Sequence, residues 1–353
     1  MLGLLLYTYL AIGCGVLLPS LELGKSPSLG AAILSGYALT FFLLFLLHAI
    51  MRLPLTATVY SILIIAGIGW FRAYSWLFNH RNLGGPAGVF PVMAIVAVVI
   101  NGGINYLPYT VDEFTNWIGV SREIYLHGSY EAIRETVHLP GYLPGWRLLL
   151  LLPWVVVGHI DMGLSTMAPL VLHIGLATLI FEIFRFEGER HAGPSQRNAI
   201  IWAWTLTLLY LAAEGTGKLW AFNLLIEQPQ IYVLTAVFIY LFLLDDTEIQ
   251  NARLSLHAGV AIAAGYMIKA SALTVLPGLL LVLLVVFFRE TSEDQARWVS
   301  ATIRNGISLL LPTVAVVLLW KGIVPEMEGH CLSNPLATMT PEVISNIPKL
   351  DWQ

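Results

Sequence analysis

Charge is what this sequence has least of. Only 11% of its 353 residues are Asp, Glu, Lys or Arg, against 57% that are hydrophobic, where a soluble globular domain carries about 25% charged residues. So few charges cannot cover a water-facing surface, which excludes an ordinary soluble enzyme. Cysteine is nearly absent too. Cys14 and Cys331 stand near opposite ends of the chain, so neither a disulfide framework nor a cysteine metal site is indicated. The N-terminus (MLGLLLYTYLAIGCGVLLPS) lacks a basic n-region; a cleaved signal peptide is therefore not expected, and the run reads as a first membrane span. The formal net charge of −4 is too small to say anything of partners, and no nucleic-acid partner is expected. EGTGKLW (214–220) lacks both the leading Gly of a phosphate loop and the Ser or Thr after its Lys. No nucleophile elbow, zincin motif, dinucleotide fingerprint, soluble domain or short-period repeat is present.

What is present is a series of apolar runs near the roughly 20 residues needed to cross a bilayer. They cover 2–19, 29–50, 54–78, 87–106, 164–184, 199–213, 229–244, 256–270, 273–288 and 305–320. The expected fold is an all-α, polytopic transmembrane bundle of about ten spans, with short juxtamembrane helices outside it. WRLLLLLPWVVVG (146–158) is too short for a crossing and contains Pro153, so it reads as a juxtamembrane or re-entrant segment. Residues 1–86 hold three spans, 87–320 form the main module, and 321–353 form a tail. A truncated end fits that tail as well as a natural one.

Lys and Arg concentrate in 184–198, in 289–304 and in FRAYSWLFNHRN (71–82). Placing these on the cytoplasmic side gives a consistent alternation, with Arg52 a minor exception. The loop 107–163, the stretch 214–230 and the tail from Lys321 then share the extracytoplasmic face, and Lys269 lies near the outer end of its helix.

The polar segment YTVDEFTNW (109–117) lies on that face. Thr110 followed by Glu113 fits a capping box, with Asp112 in the first turn, where the helix dipole favours an anion. A helix over 111–126 would put Asp112, Asn116 and Trp117 on one side with Glu113 close by. A second short helix is expected over 129–139. Aromatics at Tyr125, Tyr130, Tyr142 and Trp146 suit an element in the membrane interface. Arg122, Arg134, His138 and Arg147 lie in the same loop, and an Arg there suits a lipid phosphate through charge-assisted hydrogen bonds. Pairing of Arg122 and Arg134 with Glu123, Glu131 and Glu135 on a solvated face accounts for those two equally well. His48, His159, His173 and His257 are scattered and read as structural.

The Asp112-Glu113 pair followed by Phe114 and Trp117, the later H-x-P-G-Y (138–142) and GYMIKASALTVLPGLLL (265–281) together resemble GT-C fold membrane glycosyltransferases. That superfamily includes protein O-mannosyltransferases and lipid A aminoarabinose transferases. The likeness spans roughly 87–290, although three spans here precede the one that family members usually have first. It implies transfer of a sugar from a polyprenyl-phosphate carrier to a glycan, lipid or protein acceptor. The site would face the extracytoplasmic side of a bacterial inner membrane. Asp112 would then be the general base and Glu113 would orient the acceptor or a neighbouring Arg. Lys218, Lys269 and Arg147 would receive the lipid phosphate, with Asn116, Arg122, His138, Tyr142, Glu227 and Gln228 lining the substrate cavity. No metal site is expected, since one acidic pair offers too few oxygen ligands for a hard cation; a divalent ion such as Mg or Mn is compatible but not required. The contrasting expectation is a non-catalytic transporter, flippase or scaffold subunit for lipid-linked sugars. A transporter would carry buried charges near mid-membrane, whereas here the notable charges gather on one face.

Overall fold

In the computed structural model of the chain, the residues described are 1–23, 26–78, 86–100, 108, 110, 113–130, 143–191, 196–215, 224–225, 227–243, 251–278, 281 and 295–327. Among the described residues the fold is all-α apart from one two-stranded pair. Helix α1 (Leu2–Gly15) leads into β1 (Glu22–Leu23) and β2 (Ser26–Pro27), antiparallel with Glu22 opposite Pro27. Then come α2 (Leu29–Leu44), continued by a π-helical turn Phe45–Ile50, α3 (Leu55–Phe78) and α4 (Pro86–Ile100). A second π-helical turn, Glu113–Gly119, opens into α5 (Val120–His127), followed by α6 (Gly145–Val157), the short α7 (Met162–Ser165) and α8 (Met167–His191). The chain continues through α9 (Gln196–Gly215), α10 (Glu227–Phe242), α11 (Asn251–Ile268), a 3-10 turn Ala270–Val275 and α12 (Gln295–Met327).

Among the described residues, four stretches are long and apolar enough to cross a membrane: Leu29–Ile50, Leu55–Tyr74, Met162–Arg190 and Ile303–Trp320. The helices at Leu2–Gly15, Gly88–Val99, Gly145–Val157 and Ala252–Ile268 are apolar but shorter. The run expected as a span over 273–288 begins instead in the 3-10 turn, and most of it lies outside the described residues. Leu29–Ile50 and Met162–Arg190 are mostly buried inside the bundle, whereas a third or less of each of the other two long stretches is buried. On α12 the exposed side is Ile303, Ile307, Leu311, Val314 and Leu318, a stripe at helical spacing. An apolar perimeter around an apolar core suits a lipid surrounding; in water so large a patch would drive association.

Close helix contact is made by small residues. A Cβ on Gly36 of α2 would collide with the Ala11 carbonyl of α1, so only glycine lets these backbones meet, as is common between helices in lipid. The N-terminus of α2 is closed by chemistry from two places. Ser28 Oγ accepts from Ala31 N at 3.0 Å and donates to Glu182 at 2.5 Å. The Glu182 carboxylate, on α8, also accepts from Leu29 N at 2.8 Å and Gly30 N at 3.1 Å. Amides that the helix cannot pair internally are thereby satisfied by an anion at the positive end of the dipole.

Contacts fix which helix ends lie together. Gly30 packs on Leu179 while Tyr37 Oη donates to the Ala168 carbonyl, so α2 and α8 are antiparallel. Ser35 meets His257, whereas Phe41 meets Trp146, whose neighbour Gly145 packs on Met267; α2 and α11 therefore run the same way. Helix α6 starts beside Met267, at the end of α11, and near its other end Trp154 Nε1 donates to Asp161 O at 2.7 Å, just before α7 and α8 begin. Both ends of α6 thus sit at one end of the bundle, and the run 146–158 does not cross to the other. Its residues Gly145–Trp154 are all buried. Pro153 removes the N–H that would bond Leu149 O, and that carbonyl accepts instead from Tyr7 Oη at 2.9 Å. Gly158, at φ 78°, ends the helix in the left-handed conformation.

Candidate functional site

The end of the bundle that holds α6 also holds Glu113, Asn116, Arg147, Glu227 and Lys269 among the polar residues singled out in the sequence. The capping box forms as its spacing suggests. Glu113 N donates to Thr110 Oγ1 at 3.2 Å, while Thr110 N and Thr110 Oγ1 each donate to Glu113 Oε2 at 3.0 Å. The segment that follows differs from the expected α-helix over 111–126. It winds as a π-helical turn through Glu113–Gly119 and becomes α-helical only at Val120. The expected grouping of Asn116 and Trp117 with Asp112 falls on a residue outside those described.

Glu113 is fully buried. Its Oε1 accepts from Leu224 N at 3.0 Å, and the Leu224 carbonyl accepts from Trp146 Nε1 at 2.8 Å. One backbone residue of the 214–230 stretch is therefore held at both its N–H and its C=O, by the carboxylate loop and by α6. With this set of donors the Glu113 carboxylate acts as a brace between loops. Trp146 is likewise fully buried, a packing and hydrogen-bonding residue where interface anchoring was expected.

Arg147 is the other centre. It is fully buried, donates from Nε to Asn116 O at 3.2 Å, and lies over the Trp117 ring at 5.5 Å from its centroid. A guanidinium on an aromatic face is a favourable cation–π arrangement. Tyr130 lies beside it. Burial pushes the Tyr130 phenol up to about 12, and the neighbouring Arg147 charge pulls it back in part, so the phenol stays neutral near pH 7. The Ser121 hydroxyl sits 2.7 Å from Trp117 O and 2.9 Å from Arg147 O, joining α5 to α6. Tyr125 meets Trp154 edge to face at 6.1 Å, which also ties these two helices.

A third group lies a few residues away along the chain. Lys269 Nζ pairs with Glu227 Oε1 at 2.8 Å. Lys269 stands in extended backbone where α11 stops and the 3-10 turn begins, and Glu227 is the first residue of α10, a favourable place for a carboxylate. Gln230 Nε2 donates to Ser271 Oγ at 3.0 Å and reaches Lys269 O at 3.4 Å. Glu227 is three residues beyond Leu224, so at about 3.4 Å per residue the two groups are at most about 10 Å apart along the chain. The structure thus brings Glu113, Asn116, Arg147, Glu227 and Lys269 to one end of the bundle. Gln228 is buried there as well. Asp112, His138, Tyr142 and Lys218, together with the helix expected over 129–139 beyond Tyr130, lie outside the described residues.

Arg122 is exposed on α5, and among the described residues its expected pairing with Glu123 is not seen; Glu123 lies 3.5 Å from His127 instead. Sequence reasoning missed Gln230 and Ser271, although Gln230 stands at i+3 from Glu227 and so on the same helix face. It also missed the amide of Leu224, which no side-chain pattern could reveal. Two histidines read as structural are held in place: His257 is bonded at both ring nitrogens, and His48 Nδ1 lies 2.9 Å from Leu53 O. Among the described residues, no group of three or more His, Cys, Asp or Glu side chains is placed to hold a metal ion. No protein-family profile, curated protein or solved structure matches the chain.

Proposed function

We propose that the chain is an integral membrane glycosyltransferase of the GT-C type, with about ten spans and an extracytoplasmic site. It would move a sugar from a polyprenyl-phosphate carrier to an acceptor hydroxyl on a glycan, lipid or protein. The observation that carries this reading is the gathering of a fully buried Arg147 and the Lys269–Glu227 pair around the brace that follows Asp112. A phosphoryl leaving group needs such cations near a base, in a place where water is scarce.

In this reaction Asp112 takes the proton from the acceptor hydroxyl as that oxygen attacks the anomeric carbon. The bond between the anomeric carbon and the phosphate oxygen breaks, and the polyprenyl phosphate leaves with its electron pair and inversion at the sugar. Lys269, Arg147 and Lys218 counter the charge that develops on the phosphate. Asn116, Arg122, His138, Tyr142, Glu227 and Gln228 shape the cavity, and Glu113 keeps the two loops in register. The Lys- and Arg-rich connections face the cytoplasm of a bacterial cell. No divalent metal is required.

Purified full-length protein, assayed with a polyprenyl-phosphate sugar donor and a hydroxyl acceptor, tests the reading. Asp112→Asn is expected to abolish turnover and retain donor binding. Undiminished turnover in that variant would remove Asp112 from the role of base, and absence of donor binding to the wild-type chain would remove the glycosyltransferase reading altogether.

A further inference from the structure

Lys269 is the joint between two helical segments, and its backbone belongs to both. Its N–H donates to Gly265 O at 2.8 Å, closing the last turn of α11, and its carbonyl accepts from Ala272 N at 3.0 Å, opening the 3-10 turn. Between these bonds residue 269 is extended, at φ −154° and ψ 131°. Side-chain direction follows the backbone, so whatever holds this break also decides where the Lys269 ammonium points.

One face of α10 holds it from two sides. Glu227 and Gln230 stand at i and i+3, neighbours on a helix surface. Glu227 Oε1 takes the ammonium at 2.8 Å. The Gln230 amide reaches the backbone side of the joint, donating from Nε2 to Ser271 Oγ at 3.0 Å and lying 3.4 Å from Lys269 O. The two contacts differ in surroundings: Glu227 is exposed, whereas Gln230 is buried. An exposed ion pair is weak and exchanges with water, while a buried amide that loses its partner bears a desolvation cost. The Gln230 contact is therefore the more durable of the two. A phosphate that binds the ammonium competes with Glu227 for the same three donors, and the two anions repel each other. As Glu227 gives way, Gln230 still holds residue 269.

We infer that Gln230 is a positioning residue for the Lys269 ammonium, fixing the backbone at the helix break while that ammonium exchanges Glu227 for the phosphate of a lipid-linked donor. It acts through Lys269 and Ser271 and not by touching the donor. This role rests on the glycosyltransferase reading, in which Lys269 receives that phosphate.

Equilibrium titration of the purified full chain in detergent, with undecaprenyl phosphate and separately with undecaprenol, tests it, because the two lipids differ only in the phosphate. The wild-type chain is expected to prefer the phosphate, and Gln230→Met to reduce that preference about fivefold, the scale of one net hydrogen bond. Lost packing alone would weaken both lipids alike and leave the preference unchanged. In a Lys269→Met background, Gln230→Met is expected to reduce the preference no further. Equal binding of the two lipids by the wild-type chain overturns the phosphate-binding reading on which this role rests. A wild-type preference that Gln230→Met leaves unchanged, or a reduction that recurs in full without Lys269, overturns the role of Gln230 alone. Ser271→Ala removes the hydroxyl that Gln230 holds and disturbs packing less. It is expected to lower the preference about twofold, again only with Lys269 present. Should Gln230→Met not be recovered folded, an unchanged preference in Ser271→Ala overturns the role.

Discussion

The carboxylate of Glu113 accepts a hydrogen bond at 3.0 Å from the backbone N–H of Leu224, across 111 residues of sequence. The same carboxylate closes the capping box with Thr110. One side chain therefore both starts a helical segment and fixes the distance between two loops at the candidate site. Glu113→Ala leaves buried donors without an acceptor and is expected to cost about 1–3 kcal/mol, with Glu113→Gln milder because it keeps one carbonyl oxygen. Thermal unfolding in detergent, followed by circular dichroism, measures both. Equal melting of wild type and Glu113→Ala would show that the brace carries no stability.

Arg147 cannot be replaced by another cation. Its Nε bond to Asn116 O and its position over Trp117 use a planar fork that an ammonium lacks. Arg147→Lys is expected to lower turnover by about a hundredfold and to reduce stability, while Lys269→Arg keeps most of both. Parallel kinetics and melting on the two variants test the contrast, and an active Arg147→Lys would contradict it.

The Lys269–Glu227 pair separates function from stability. Both side chains are partly exposed, at 33% and 52%, and exposed pairs are worth at most about 1 kcal/mol. Lys269→Met is therefore expected to melt close to wild type and yet to weaken binding of the polyprenyl-phosphate donor at least tenfold. Donor titration on the folded variant decides this, and unchanged affinity would assign Lys269 to the ion pair alone.

Tyr7 and Pro153 form a thermodynamic cycle. Tyr7 bonds the Leu149 carbonyl that Pro153 leaves without its helical partner. Tyr7→Phe is expected to destabilise by about 1–3 kcal/mol. Pro153→Ala restores an N–H in the helix, so the double variant is expected to recover part of the loss. Additive effects, with no coupling in the double variant, would contradict the link.

Orientation has a direct test at Arg122. Glu113 is too buried for a labelling reagent to reach, whereas Arg122 on the same segment is exposed. In a Cys331→Ser background, where the remaining Cys14 is buried, Arg122→Cys is expected to react with an impermeant maleimide added outside intact cells. Reaction only after the cytoplasm is opened would invert the orientation and with it the proposed side of the chemistry.

The sequence by itself determined the helical class, because runs of this length and apolarity leave the backbone no partner but itself once water is excluded. It also determined the start at Thr110 and Glu113, because a capping box is local and its bonds span three residues. The π-helical winding after Glu113 was not legible, since an α- and a π-turn use the same residue types and differ only in what the tertiary contacts reward. That 146–158 does not cross was legible from its length and Pro153, but the partner of the freed Leu149 carbonyl was not, because Tyr7 lies far away along the chain. The brace at Leu224 lay furthest from view. A backbone amide looks the same at every position, and only the packing of α6 against the carboxylate loop decided that this one would be held at both ends.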